Sequence, residues 1–202
     1  MKTDDTKDRL EEPFSEYGRY SYADYLSWEI EEMVEIIKGK VFRNTAAPSR
    51  KHQELSLRLS TWLYAFLEKS SCKVYGAPFD VRLPGRSKED KDIFTVVQPD
   101  ICVVCDLSKL DDAGCVGAPD LVVEILSPGG NQKDLKFKYD VYLESGVREY
   151  WVVHPEEQTL LVYTLRDRDY VASRLFVAGD IVNSTVVEGF ELDVEGLFKV
   201  LE

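Results

Sequence analysis

The run Leu121–Leu126 constrains the fold of this chain more than any other stretch. It reads LVVEIL and is apolar on both faces except for Glu124. An uninterrupted Val/Ile/Leu run of this length predicts a central strand that is covered on both sides. A carboxylate buried there without a partner is costly or takes up a proton, so we expect Glu124 to meet a cation, a hydrogen-bond donor or a metal ion.

A helix is predicted to follow this strand. Ser127–Asn131 has the composition of a strand break and helix start, and Gly146 is the expected stop. With Leu135 set to zero at about 100° per residue, Lys138 falls near roughly 300°, at the edge of the apolar stripe. Of the lysines on this helix, Lys138 is therefore best placed to lean toward Glu124.

The remaining pattern predicts further helices and strands, in an α/β (α+β) fold. Residues 1–20 are polar and aperiodic and are predicted to form an unpacked arm, and residues 21–202 a single domain. Helices are predicted over 22–31, 50–69 and 131–145, a hairpin turn at Lys38-Gly39, and strands over 73–83, 96–105, 149–154, 160–166, 170–178 and 181–187.

Composition limits the partners and the location of the chain. The net charge is −12 over 202 residues, which argues against a nonspecific polyanion binder. Nucleic-acid contact would have to come from local patches, and two weak ones exist: Arg43, Arg50, Lys51 and Arg58, or Arg82, Arg86 and Lys88. No run is long enough to span a membrane and the N-terminus has no apolar signal region, so a cytoplasmic location is expected.

The four cysteines do not form a recognisable framework. Cys102 and Cys105 have CxxC spacing, but on a strand their side chains point to opposite faces, and no second CxxC or CxxH follows. We therefore expect Cys72, Cys102, Cys105 and Cys115 to be buried free thiols.

A second buried strand, Val96–Cys105, carries Asp100 in its middle. If it neighbours the first, Asp100 and Glu124 can share a divalent cation, and hard oxygen ligands favour Mg²⁺ or Mn²⁺. Gln98 lies on the face of Asp100, whereas Asp120 is interpreted as a strand-start residue. A lysine beside two such carboxylates suits phosphodiester hydrolysis, and a purely structural charge network is the alternative.

These residues carry a resemblance to the PD-(D/E)XK restriction-endonuclease-like superfamily, through Pro99-Asp100 and Glu124. More closely, the chain resembles the Uma-type putative restriction endonuclease family. The ordered segments are Glu35-Ile-Ile-Lys38-Gly39, His52, Gln98-Pro99-Asp100, Pro119-Asp120 through Glu124 to Ser127-Pro128, Asp134 followed by Lys138 and Tyr142, Gly146 through Glu149-Tyr150-Trp151, and His154-Pro155. The resemblance implies a restriction-endonuclease-like core, in which a mixed β-sheet is flanked by helices, and a metal-dependent nuclease.

The chain departs from the superfamily at one position. Where Glu-X-Lys would place a lysine there is Leu126, and in the Uma-type branch a helix lysine substitutes, which Lys138 matches. The resemblance also makes Glu35 a candidate for an additional carboxylate. His52 is either a site residue or a helix-start histidine bonded to backbone.

Two functions follow as hypotheses. The first is a Mg²⁺-dependent (or Mn²⁺-dependent) endonuclease acting on nucleic acid, with DNA as the expected substrate, Asp100 and Glu124 as metal ligands and Lys138 beside the attacking water. The second is a nuclease-fold protein that binds or scaffolds without cutting.

Arg148 and Glu149 are expected to be an exposed pair. The aromatic strand with Tyr150 and Trp151 is expected to be core or to mediate a homodimer.

Overall fold

The computed structural model of the chain describes residues 18–29, 33–43, 47–127 and 132–201, with residues 132–134 described by their backbone alone. Most of the predicted arm, the end of the first predicted helix at Glu31, and Asn131 lie outside these residues, as does the side chain of Asp134. Within the described residues, no helix is long and apolar enough to cross a membrane.

The described helices are α1 (Tyr22–Tyr25), α2 (Arg50–Leu67), α3 (Gln132–Ser145) and α4 (Val194–Phe198). The strands are β1 (Val34–Ile37), β2 (Lys40–Arg43), β3 (Lys73–Gly76), β4 (Val81–Arg82), β5 (Val96–Val97), β6 (Ile101–Val104), β7 (Leu110–Asp111), β8 (Gly114–Val116), β9 (Leu121–Ile125), β10 (Glu149–His154), β11 (Thr159–Arg166), β12 (Asp169–Ala172), β13 (Ile181–Asn183) and β14 (Glu191–Asp193).

Two mixed six-stranded sheets dominate the architecture, which is the α+β class that the sequence predicts. One has the order β2-β1-β5-β4-β8-β7 and the other β12-β11-β10-β9-β6-β3, while β13 and β14 pair separately. In the second sheet β9 pairs antiparallel with β6 and parallel with β10. The strand with Glu124 is thus interior to its sheet, as its apolar run predicts.

Strand β9 is buried along its whole length and serves two cores. Leu121, Val123 and Ile125 pack in one core with the buried leucines of α2, whereas Val122 packs in the other with α3 and the first sheet. Side chains alternate between the faces of a strand. Glu124 therefore points to the α3 side.

The two helices flanking this sheet follow the predicted pattern. Ser49 caps α2 by accepting a hydrogen bond from the backbone N–H of His52, 3.2 Å away. The buried stripe of α2 is Leu55, Leu59, Leu63 and Leu67, while Phe66 is left 45% exposed. Helix α3 ends at Gly146, whose φ of +84° suits the left-handed conformation that glycine adopts after a helix.

Two predicted strands are each broken into two strands that belong to different sheets. The predicted strand 96–105 divides at Gln98-Pro99-Asp100, so that β5 joins the first sheet and β6 the second. Proline has no N–H for a sheet ladder, which favours the break there. The predicted strand 73–83 likewise divides into β3 and β4 around Pro78, and two short strands that were not predicted, β7 and β8, lie between β6 and β9.

The prediction of four free thiols is wrong for two of them. Cys72 and Cys105 form a disulfide, whereas Cys102 and Cys115 are free and buried. Cys72 precedes β3 and Cys105 follows β6, and these strands pair antiparallel. The pairing of the two strands brings the cysteines together although they lie 33 residues apart.

The predicted exposed pair at Arg148 and Glu149 is also wrong. Glu149 is fully buried and accepts hydrogen bonds from the indole N–H of Trp151 and the backbone N–H of Thr185, each at 2.6 Å. Arg148 pairs instead with Asp120 at 3.2 Å. Tyr150 and Trp151 are buried in the two cores, so the strand on which the homodimer prediction rests presents neither ring to solvent.

The first helix is shorter than predicted. Ser21 and Asp24 form a reciprocal capping box, but the helix ends after Tyr25, at the exposed Leu26. The ring of Trp28 then packs edge-on against Tyr25, with the ring centres 5.7 Å apart.

Candidate active site

Glu124 is held by two residues of α3. The Nζ of Lys138 lies 3.0 and 3.1 Å from the two carboxylate oxygens, and the hydroxyl of Tyr142 donates to Oε1 at 2.6 Å. Lys138 and Tyr142 are four residues apart, which places them on one face of the helix, one turn apart. Helix α3 therefore supplies hydrogen-bond donors to both oxygens of the Glu124 carboxylate, which lies on an interior strand of the sheet.

Glu35, on β1 of the first sheet, joins this cluster from the opposite side. Its Oε1 lies 3.0 Å from the Nζ of Lys138 and accepts a hydrogen bond of 2.6 Å from the backbone N–H of Gln98. Lys138 thus bridges two carboxylates that come from different sheets. Gln98 contacts the cluster through its backbone.

Asp100 lies just before β6 and faces the same place. Ile101 pairs with Val123, so extending the antiparallel register by one residue places Asp100 opposite Glu124. Cross-strand partners have Cβ atoms about 5 Å apart and point to the same face. The Oδ2 of Asp100 also accepts a hydrogen bond of 2.6 Å from the backbone N–H of Ile125.

His52 reaches Asp100 from the first turn of α2. Its Nε2 lies 3.0 Å from the Oδ1 of Asp100, and the imidazole is buried. Its Nδ1 is buried with no hydrogen-bond partner among the described residues. The imidazole of His52 thus contacts Asp100, while its backbone N–H donates to the hydroxyl of Ser49 at the helix start.

Beside Glu35 lies a polar group that no sequence pattern singled out. The amide nitrogen of Gln98 donates to Oδ1 of Asp80 at 2.7 Å, and the hydroxyl of Tyr25 lies 3.5 Å from the same oxygen. The side chain of Gln98, which is predicted to share the face of Asp100, therefore bonds Asp80. Asp80 lies between two short strands and has no periodic signal that would have identified it. Tyr142 had such a signal, its spacing of four from Lys138.

Burial and neighbouring charge dominate the electrostatics of Glu124. Burial raises the pKa of its carboxyl to about 7; the Lys138 ammonium opposes that shift, and the charges of Asp100 and Glu35 add to it. Burial alone would lower the pKa of Lys138, but Glu124 and Glu35 outweigh it, and the pKa is raised above its usual value. Lys138 is consequently a cation at neutral pH.

The pKa of His52 is also raised by the neighbouring carboxylates. Burial lowers the pKa of its imidazole, but the hydrogen bond to Asp100 and the charges of Asp100 and Glu124 outweigh burial, so that the pKa is raised. The site as a whole combines three carboxylates with one ammonium and one imidazole.

The donor chemistry fits a divalent cation, although the described residues contain no group of three or more His, Cys, Asp or Glu side chains already arranged to hold a metal. Asp100, Glu124 and Glu35 are hard oxygen donors, as Mg²⁺ and Mn²⁺ prefer. The Lys138 ammonium cannot neutralise all three carboxylates, and the charges of Asp100 and Glu35 contribute to the raised pKa of Glu124. A divalent cation would relieve this excess of negative charge.

Asp120 has a structural role in this arrangement. Its Oδ2 accepts a hydrogen bond of 2.7 Å from the backbone N–H of Cys105, and its Oδ1 lies 3.2 Å from Arg148. Both contacts lie at the start of β9, as its interpretation as a strand-start residue predicts.

The family model Uma2, described as "Putative restriction endonuclease", matches residues 22–195 of this sequence. The chain belongs to this family. The Uma2 match includes Glu35, His52, Asp100, Glu124 and Lys138, which are the residues that the structure brings together.

Two individual proteins are similar to this Uma2 chain. The uncharacterized protein slr1290 of Synechocystis sp. is 25% identical over 158 residues, which cover 77% of this chain and 79% of that protein. The crystal structure of a putative nuclease belonging to DUF820 from Anabaena variabilis superposes with a TM-score of 0.72 at 20% identity, over 91% of this chain and 99% of that one. The second likeness shows that the restriction-endonuclease-like fold is shared.

Proposed function

We propose that this protein is a Mg²⁺-dependent endonuclease that hydrolyses phosphodiester bonds of nucleic acid, with DNA as the substrate. The observation that supports it most is the contact of Lys138 with Glu124, at 3.0 Å, in a site that also gathers Asp100 and Glu35. Membership of a family described as "Putative restriction endonuclease" supports the reaction class. Fold alone would not, because one fold serves many functions.

In this proposal Asp100 and Glu124 are the metal ligands, and Glu35, which shares the Lys138 ammonium with Glu124, would add a third carboxylate. Bound Mg²⁺ would supply Lewis-acid stabilisation of the charge that develops on the phosphate. Each ligand oxygen that now accepts a hydrogen bond from Lys138 or His52 would exchange that partner for the cation.

Lys138 acts in the proposal as a hydrogen-bond donor and a fixed positive charge. Its raised pKa keeps it protonated, so it orients the attacking water and stabilises the phosphorane without accepting a proton. It takes the place that the superfamily gives to a lysine two residues after the glutamate, where this chain has Leu126. In the proposal, helix α3 thus supplies the lysine that the end of β9 lacks.

Plasmid cleavage tests the proposal. Supercoiled DNA with purified protein and Mg²⁺ or Mn²⁺ is expected to be nicked or linearised, and EDTA is expected to abolish this. Asp100→Asn, Glu124→Gln and Lys138→Met should each remove most of the activity, whereas Asp112→Asn, on an exposed turn, should keep it. Cleavage that survives Asp100→Asn would overturn the site.

A second candidate function is a nuclease-fold protein that binds or scaffolds without cutting. This function is favoured by the contacts of Glu124 and Asp100, because both carboxylate oxygens of each residue already have a partner within the protein. It predicts that neither Mn²⁺ nor Mg²⁺ binds and that the same charge network persists as a structural element. A homodimer and a cytoplasmic location stay predictions, and light scattering measures the first.

A further inference from the structure

A groove of about 870 Å³ lies beside the hairpin of β1 and β2 and the end of α3. Its volume is within the range of small-ligand sites. Its charged lining consists of Arg19, Lys38, Arg86, Asp92 and Glu144, so bases outnumber acids in a chain whose net charge is −12. We call it the Arg86 groove.

The two basic patches of the sequence differ in whether their side chains are paired with carboxylates or other acceptors of the protein. In the first, Arg50 pairs with Glu54 at 2.7 Å, Lys51 pairs with Glu156 at 2.6 Å, and Arg58 bonds a backbone carbonyl. In the second, Arg82 is buried and paired, but Arg86 is exposed and has no carboxylate partner within the described residues. Arg86 therefore gives the groove an exposed cation with no competing carboxylate among the described residues.

Arg19 is fixed at the groove by the hairpin. Its guanidinium carbon lies 3.9 Å from the centre of the Phe94 ring, and the next backbone N–H, of Tyr20, donates to the carbonyl of Gly39 at 2.9 Å. Gly39 has a φ of +83°, and a Cβ there would lie 2.5 Å from the Cγ of Arg19. The absence of a side chain at Gly39 lets Arg19 pack, which pre-orients a cation at low entropic cost.

Lys38 also remains available to a ligand. It forms an ion pair with Glu144 at 2.7 Å, but both side chains are more than half exposed. Such pairs contribute little stability, so a stronger anion can replace the carboxylate. A phosphate group, with several acceptor oxygens, suits a cluster of guanidinium and ammonium groups.

The walls of the groove lead to the catalytic cluster. Ser145, in the groove, is seven residues after Lys138, which places it on the same face of α3 about 10 Å further on. Lys38 is three residues after Glu35 on the other wall. A separation of this size is short enough for one nucleic-acid strand to reach both the catalytic cluster and the groove.

We propose that the Arg86 groove binds phosphate groups of the nucleic-acid strand a short distance along the strand from the bond that is cut. The inference rests on the proposed function for its ligand, because a polynucleotide is what would place further phosphates at this distance. Arg19 and Arg86 make the contacts, and Lys38 joins them by leaving Glu144.

Binding of a labelled single-stranded oligonucleotide in EDTA, followed by fluorescence anisotropy, tests the proposal without requiring cleavage. The double variant Arg19→Gln/Arg86→Gln should bind about tenfold more weakly. The slope of log K against log salt should fall by about 1.4, because each arginine that neutralises a phosphate contributes about 0.7. The matched control Lys69→Gln, an exposed lysine after the far end of α2, should bind like wild type. Circular dichroism checks that the variants fold.

The outcomes separate the groove from the reaction. If wild type cleaves DNA while the double variant binds with unchanged affinity and salt slope, the groove proposal is overturned and the nuclease stands. If the double variant loses binding but wild type cuts nothing in Mg²⁺, the groove stands and the nuclease fails. If wild type binds no oligonucleotide, or if the double variant loses only inorganic phosphate or a mononucleotide, the groove is not a strand-binding site.

Discussion

Lys138 lies against Glu124, with its Nζ 3.0 and 3.1 Å from the two carboxylate oxygens. Both side chains are nearly buried, with 13% and 8% of their surface exposed. Such a pair is costly to desolvate, and its disruption leaves one charge buried without a partner. The pair therefore links the stability of the protein to its proposed chemistry.

Replacement of Lys138 by methionine should lower the free energy of unfolding by about 3 kcal/mol, because Glu124 and Glu35 lose their shared cation. Urea denaturation measures the loss. Lys136→Met, on the exposed part of the same helix, should change stability by less than about 0.5 kcal/mol. Equal effects of the two variants would contradict a buried role for Lys138.

The metal-free protein should lose stability as the pH rises from about 4.5 to about 7. Burial raises the pKa of Glu124 from its ordinary 4.5 to about 7, so the folded state holds a proton that the unfolded state releases in this window. The stabilisation is complete below the lower value and is lost as the pH passes the upper one. Its size is on the order of a few kcal/mol.

Urea denaturation across this pH range, with Glu124→Gln as the reference, isolates that effect. The raised pKa of His52 acts in the same direction from about pH 6.5 upward, but His52 is present in both proteins. The difference in unfolding free energy between wild type and variant should therefore change mainly between pH 4.5 and 7. A constant difference over that window would contradict the raised pKa.

Tyr142→Phe should destabilise the protein by about 1–3 kcal/mol, since it removes the hydroxyl that donates to Glu124 at 2.6 Å. Tyr150→Phe is the matched control. Its hydroxyl is buried with no hydrogen-bond partner in the described part of the chain, so its loss should be neutral or stabilising. Thermal unfolding compares the two, and the reverse order would refute the assignment.

Glu149→Gln should cost about 2 kcal/mol of stability, because the buried carboxylate accepts hydrogen bonds from Trp151 and Thr185. Glu191→Gln, on the exposed face of β14, should be close to neutral. Because Glu149 lies outside the proposed catalytic cluster, the cleavage rate of the folded fraction should be unchanged. A stability equal to wild type would mean that these hydrogen bonds contribute nothing.

Local periodicity was sufficient to predict the contact between Glu124 and Lys138 in the candidate site. The apolar run of β9 is in the interior of its sheet, and the helical angles of α3 place Lys138 where it meets Glu124. Both inferences need only a repeat of two or 3.6 residues and one strand next to one helix. The antiparallel register of β6 and β9 then accounts for Asp100.

Contacts between distant segments could not be predicted in this way. Thr185, which satisfies Glu149, lies 36 residues further along the chain, and the partner of Cys72 lies 33 residues further. Nothing in the local pattern of Arg148-Glu149 distinguishes a buried carboxylate from an exposed one. Pro99 is a signal for the break between β5 and β6, but the apolar residues on either side of it favour the prediction of one continuous strand.

The central claim is that Asp100 and Glu124 hold a divalent cation beside Lys138, and a calorimetric titration of the protein with Mn²⁺ near pH 7 tests it most directly. We expect one Mn²⁺ to bind and a proton to be released as Glu124 ionises, detected as a dependence of the heat on buffer ionisation enthalpy. Glu124→Gln should lose both the binding and the proton. Absence of Mn²⁺ binding to the folded wild-type protein, or binding that Glu124→Gln leaves unchanged, would contradict the claim.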